Sequence, residues 1–302
     1  MKPPGEGQQN ALEITTNWNG RPMKIIVTGS KGKLGQRLIR VLSYSHDLLG
    51  FDLPELDICN LQDVTKKILQ FQPDILINAA AHTAVDRCED EADLAYQINA
   101  LAVRNLAVAA ESTRARFIHF STDFVFDGER QGPPYTEYDT PNPQSVYGRS
   151  KLMGEREALL NCTRSIVLRL SWLYGSGGWN FTDWVIGEVH ENRPVRIVTD
   201  QLGCPTWIGD VVNQVIHLFS TSAQGLYHCA GKGCCSRYDW ACEAVKCAGL
   251  DTSLVKPVTS TEFKQKAPRP TYSAMRNFCL EKQGLEVMRP WQDALKDHIF
   301  EE

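Results

Sequence analysis

Tyr147 and Lys151 stand four residues apart in Val146-Tyr147-Gly148-Arg149-Ser150-Lys151. On a helix that spacing stacks one side chain a turn above the other, with Cβ atoms about 5–6 Å apart. An ammonium so placed favours the phenolate and is expected to lower the tyrosine pKa from about 10. The hydroxyl could then exchange a proton with a substrate hydroxyl or carbonyl near neutral pH. With nine tyrosines and 14 lysines in 302 residues, about 0.4 such pairs arise by chance. The pair therefore takes its meaning from its surroundings.

Residues 23–28 form a short β-branched run that reads as a buried strand. It leads straight into Gly29-Ser30-Lys31-Gly32-Lys33-Leu34-Gly35, and a helical pattern follows through Leu38, Ile39, Val41 and Leu42. In this setting glycines permit a tight turn, let backbone approach a pyrophosphate and aim a helix N-terminus at an anion. The spacing is G-x-x-G-x-x-G rather than G-x-G-x-x-G. A second strand, residues 48–51, ends at Asp52, 17 residues after Gly35, where a dinucleotide site binds the adenosine ribose hydroxyls. Asp57 and Ile58 follow. Lys31 and Lys33 would attract a 2′-phosphate and Asp52 would repel it, so NADPH and NADH both stand as candidate cofactors.

The elements that must position these groups alternate. An amphipathic helix (Val64, Ile68, Leu69, Phe71) ends before Pro73, and residues 74–81 form an apolar strand closing on Ala79, Ala80 and Ala81, small enough for a ligand to approach. One long helix is expected over residues 94–112, and a strand over 116–120 runs into Ser121, Thr122 and Asp123. Pro133, Pro134, Pro141 and Pro143 mark an irregular loop before the Tyr147 helix. Residues 165–170 read as the sixth strand. The rhythm then weakens: 181–189 look helical, 195–199 extended, 210–219 helical, and 225–228 form a last strand. Strand–helix alternation implies an α/β fold, a Rossmann-type doubly wound parallel sheet whose ligands bind beyond the strands' carboxyl ends. The expected division is a disordered tail (1–22), a dinucleotide-binding domain (23–175) and a smaller, mainly substrate-binding domain (176–302). Segments at about 205–230 would return to the sheet.

Composition narrows the classes. A hydrophobic content of 42%, a charged content of 23% and a net charge of −4 describe a globular chain with no basic footprint for nucleic acid or membrane. No apolar run approaches the roughly 20 residues of a membrane helix, and the start lacks a signal-peptide pattern; a cytoplasmic location is expected. Ten cysteines without C-x-x-C spacing read as free thiols, and no metal ligands are assigned.

Gly29/Gly32/Gly35, Asp52, Thr122 and Tyr147/Lys151 together resemble the extended short-chain dehydrogenase/reductases. The strings NAAAHTAVD (78–86), STDFVFDG (121–128), VYGRSKLMGE (146–155), RLSWLYG (169–175), TDQLGCPT (199–206) and RP-x-x-S (269–273) resemble the dTDP-4-dehydrorhamnose reductase family in its order. That resemblance implies NAD(P)H-dependent reduction of C4 in a dTDP-linked 4-keto-6-deoxyhexose, dTDP-4-dehydro-L-rhamnose, for polysaccharide biosynthesis. Tyr147 would be the general acid. Lys151 would tune it and bind the nicotinamide ribose, and Thr122 would donate to the carbonyl oxygen. Gly29, Lys31, Gly32, Lys33, Leu34, Gly35, Asp52, Asp57, Ile58, Ala79, Ala80, Ala81, Tyr147 and Lys151 would contact the cofactor. Val85, Asp86, Thr122, Asp123 and Trp172 would face the sugar, and Asn180, Gln201, Pro205 and Arg269 the nucleotide. Asn99 matches a position that helps hold the site through its backbone. Two alternatives remain: a reductase of another nucleotide-linked 4-keto-6-deoxy sugar, or a non-catalytic NADP-binding subunit like the regulatory subunit of methionine adenosyltransferase. A homodimer is left open.

Overall fold

The structure, a computed structural model, describes residues 21–300. The expectation for residues 1–22 therefore falls almost wholly outside the described residues. Six parallel strands make the main sheet: β1 (Lys24–Thr28), β2 (Asp47–Phe51), β3 (Ile75–Asn78), β4 (Arg116–Thr122), β5 (Ser165–Leu170) and β6 (Gly225–His228), in the order β6-β5-β4-β3-β1-β2. The direction of winding reverses between β1 and β3, which opens a crevice at their carboxyl ends. Residues 165–170, expected as the sixth strand, are the fifth. Residues 225–228 are the sixth and form one edge.

Strand side chains alternate between faces, and each face has its own cover. Ile25, Val27, Ile77, Ile118 and Leu168 pack with α1 (Lys33–Leu42) and a helix from the far end of the chain, Ile208–Phe219. Ile26, Leu76, Phe117 and Val167 pack against Leu61–Phe71, Ala102–Thr113 and α2 (Val146–Asn161). A parallel sheet covered on both faces needs strands apolar on both sides, and β3 is buried at all four positions.

The helix expected over residues 94–112 is three pieces: Ala92–Tyr96, a π-helical turn Gln97–Leu101, and Ala102–Thr113. Such turns are rare and cluster at functional sites. Here the turn carries the buried Asn99 toward α2, where a Cβ on Gly154 would lie 2.1 Å from the Asn99 carbonyl oxygen. A separate small core gathers Val185, Val189, Val195, Ile197, Ala241, Val245 and Val255, with Val195–Val198 paired to Val255–Val258.

Candidate active site

The glycine turn is built by close approach. Gly29 has φ +70°, and a Cβ there would stand 2.4 Å from the backbone nitrogen of Ala80. A Cβ on Gly35 would stand 2.1 Å from the Gly29 carbonyl oxygen, so the turn and α1 touch backbone to backbone. Gly32 begins α1 without a side-chain cap, and the first turn has no acidic residue. Its N–H groups and the positive end of the helix dipole are thus left for an anion. Thr28 donates to Asn78 Oδ1 (2.9 Å), which also accepts the Ala80 N–H (3.1 Å), locking the crevice between β1 and β3. Asp52 accepts the backbone N–H groups of Lys31 (3.0 Å) and Leu53 (2.9 Å). This cradle fits a dinucleotide: bare backbone for a pyrophosphate and a carboxylate at the end of β2.

The two lysines of the turn diverge. Lys31 donates to the Leu53 carbonyl (2.8 Å) and pairs with Glu55 (3.1 Å). Lys33 donates to the Trp179 carbonyl, and burial lowers its pKa. Leu34 is buried beneath the turn. Asp57 caps the Cys59 N–H (2.9 Å), while the Ile58 carbonyl accepts from Asn105 (3.1 Å).

Helix α2 starts where Ser145 caps the Gly148 N–H at 3.0 Å. Gly148 is required by contact: a Cβ there would come within 2.3 Å of the Phe124 carbonyl oxygen. Tyr147 therefore lies against the end of β4, its ring edge-on to Phe124 with centroids 5.7 Å apart, and its hydroxyl is near enough to Thr122 for that side chain to lower its pKa. Thr122 also donates to Asp123 Oδ1 (3.1 Å) and accepts the Phe124 N–H (3.2 Å). Lys151, one turn on, donates to the Phe120 carbonyl at 2.6 Å.

The expected lowering of the Tyr147 pKa does not occur. Burial pushes the phenol well above its usual value, the Thr122 side chain pulls it down in part, and the Asp123 and Cys88 charges push it up. Desolvation penalises the phenolate more than this arrangement rewards it. The lysine is the group brought toward neutrality: burial lowers Lys151 to about 8, and Glu155 opposes the fall. Glu155 lies one further turn along α2 and is clamped by Arg169 through two 2.8 Å bonds, with Ser121 donating at 2.5 Å. Asn99 accepts the His82 N–H (2.8 Å) and donates to the His82 carbonyl and Ser150, each at 3.0 Å. Side-chain bonds thus join the carboxyl side of β3 to α2, in addition to the expected backbone contact.

Asp123 is the hub of the opposite wall. Ser273 donates to it at 2.6 Å and Ser171 at 3.0 Å, so the serines of RP-x-x-S and RLSW meet on one buried carboxylate. Burial raises its pKa and the three hydroxyls oppose the rise. Trp172 follows with φ +42°, a strained conformation for a bulky residue and one found at functional sites. Its indole lies so close to Gly203 that a Cβ there would meet it at 2.3 Å. Gln201 is buried, and its carbonyl accepts the Arg237 N–H (3.2 Å). Asp86 and Arg269, assigned to different parts of the substrate, are joined by a 3.0 Å ion pair, and Asp86 also accepts the Ala267 N–H (3.0 Å). That N–H and the Arg269 charge hold its carboxyl below the usual range. Val85 precedes it at the start of the same short helix.

Two predicted residues are committed to structure. Asn180 is buried and caps the helix Phe181–His190 through the Asp183 N–H (3.0 Å), while donating to the Gly175 carbonyl (3.2 Å). Pro205 is buried with its carbonyl against Gly231. Sequence reasoning missed Glu155, Ser171 and Ser273 although all three lie inside strings it used. Arg237 is in none. It begins the helix Arg237–Cys247 and lays its guanidinium 4.0 Å from the centre of the Trp172 ring.

Comparison with known proteins is consistent with this geometry. The family described as the RmlD substrate binding domain matches residues 23–302. The spore coat polysaccharide biosynthesis protein SpsK of Bacillus subtilis is 36% identical over 92% of this chain and 97% of its own length. A dTDP-4-dehydrorhamnose reductase of Aggregatibacter actinomycetemcomitans is also 36% identical, over 91% of this chain and 97% of its own. Among solved structures, a dTDP-4-dehydrorhamnose reductase of Bacillus anthracis in complex with NADP superimposes with a TM-score of 0.89, at 36% identity over 93% of this chain and all of that one.

Proposed function

The chain belongs to the dTDP-4-dehydrorhamnose reductase family of oxidoreductases, and we propose that it reduces the C4 keto group of dTDP-4-dehydro-L-rhamnose to dTDP-L-rhamnose. The observation that carries this reading is the meeting of Tyr147, Thr122 and Lys151 at the carboxyl end of β4, beside a turn that fits a dinucleotide. Bound NADPH or NADH supplies the hydride that C4 receives. Gly29, Gly32 and Gly35 would hold its pyrophosphate and Asp52 its adenosine ribose, with Ala79–Ala81 leaving room at the crevice.

The proton is the protein's contribution. Because the Tyr147 pKa is raised, the phenol carries its proton at neutral pH and yields it to the stronger base, the alkoxide formed at C4. Thr122 would turn its hydroxyl from Asp123 to the substrate oxygen, stabilising charge where it develops. Lys151, held by the Phe120 carbonyl, keeps donors for a ribose hydroxyl and a positive charge beneath the site. Val85, Asp86, Asp123 and Trp172 would form the sugar wall, with Gln201 and Arg269 beyond it. Asn180 and Pro205 would act by fixing the backbone around it.

The test is to supply the dTDP-linked 4-keto sugar with NADPH and NADH separately and follow the nicotinamide absorbance. Oxidation with either cofactor is expected. Turnover only with a different nucleotide-linked 4-keto-6-deoxy sugar would change the substrate, and no turnover by folded protein with any of them would overturn the reading.

A further inference from the structure

Arg237 is out of place as a structural arginine. Its guanidinium is partly buried and lies over Trp172 at 4.0 Å, with Phe181 at 5.6 Å and Trp240 at 5.9 Å. Among the described residues no carboxylate is within ion-pair distance of it, and its side chain donates to no protein acceptor. Asp123 is near enough for its charge to be felt, yet its two oxygens are already met by Thr122, Ser171 and Ser273. Arg269 is also close enough to repel Arg237, but it is neutralised by Asp86 at 3.0 Å. Burial and that repulsion lower the Arg237 pKa to about 10, still far above physiological pH, so the charge persists.

A guanidinium has five N–H donors in a fixed fork. Half-buried over aromatic rings, with no carboxylate paired to it among the described residues, this guanidinium keeps its donors available to a ligand that enters beside Trp172. The contact with Trp172, 4.0 Å from the ring centre, restrains where the fork sits, which suits recognition of an oxyanion with paired acceptors.

We propose that Arg237 binds the diphosphate of the sugar nucleotide from its place over Trp172, while Arg269 remains the partner of Asp86. This rests on the reading of the substrate as a nucleoside-diphosphate sugar. It makes Arg237 a specificity residue that selects charged nucleotide sugars over free sugars.

Calorimetric titration of the full chain tests it, with dTDP, UDP, thymidine and NADPH as probes. The wild type is expected to bind dTDP. Arg237→Gln should weaken dTDP binding about tenfold or more, as removal of a charge-assisted pair does, while leaving thymidine and NADPH affinities as they were. Arg237→Lys should recover only part of the loss, because a point charge lacks the fork. Unchanged NADPH binding shows that each variant is folded. Equal dTDP affinity in wild type and Arg237→Gln would overturn the proposal, as would a wild type that binds neither dTDP nor UDP. A chain that binds dTDP through Arg237 but turns over no keto sugar would keep this inference and remove the reductase reading.

Discussion

Two arginines flank the end of the central sheet and meet buried acids in opposite ways. Arg169 on β5 is clamped to Glu155 by two bonds, with both side chains 2–3% exposed. Arg237, across the cleft, lies near an equally buried carboxylate that three hydroxyls already occupy. A charge satisfied inside the protein is architecture, and this pair holds α2 against β5 beneath Lys151. A charge left unsatisfied beside the reaction centre is a claim on a ligand. In the proposed site, the floor beneath Tyr147 and Lys151 is closed by its own ion pair, whereas the wall that carries Arg237 would be completed by the bound nucleotide sugar.

The largest effect should come where the two regions meet. Tyr147→Phe should keep its stability and cofactor affinity but lose about 10²–10⁴-fold in turnover, the usual contribution of a positioned acid; steady-state kinetics on the keto sugar would show it. Retained turnover would move the proton to another group. Next, Glu155→Ala should destabilise the fold by about 3–5 kcal/mol, because it strands Arg169 as an unpaired buried charge. Arg237→Gln should leave the denaturation midpoint unchanged or raise it, and equal losses in the two variants would erase the contrast.

A smaller loss is expected on the wall itself. Asn180→Ala removes a helix cap and should cost about 1 kcal/mol in denaturant unfolding. The smallest effect is a displacement in pH. Lys151 is lowered to about 8, so its ammonium is intact below that pH and is lost as pH rises through it. Turnover should be level below pH about 8 and fall above it. Glu155→Gln removes the carboxylate that raises the Lys151 pKa and should bring the fall to lower pH. A profile that does not move would exclude Lys151 charge as its origin.

The glycine turn, Asp52 and the Tyr147/Lys151 pair were legible because each is local: a few consecutive residues whose backbone freedom or helical spacing carries the chemistry. The family strings also pointed to Asp123. They did not show that Ser171 and Ser273 meet on it, because contacts spanning 48 and 150 positions leave no periodicity to read. The long helix expected over residues 94–112 failed for a related reason. A π turn adds no distinctive residue type, and it is held open by Asn99 reaching His82 and Ser150.

Sequence alone determined the α/β alternation, the dinucleotide turn, the tyrosine–lysine spacing and the family, since these follow from backbone sterics and short-range periodicity. Tertiary structure decided the electrostatics. Burial raised the tyrosine and lowered the lysine, reversing the expectation that spacing alone supports, because desolvation depends on every element packed around a group. It also decided how the cations are placed: Arg269, expected toward the nucleotide, pairs with Asp86 at 3.0 Å, while Arg237, from a helix over a hundred residues beyond Thr122, lies over the Trp172 ring.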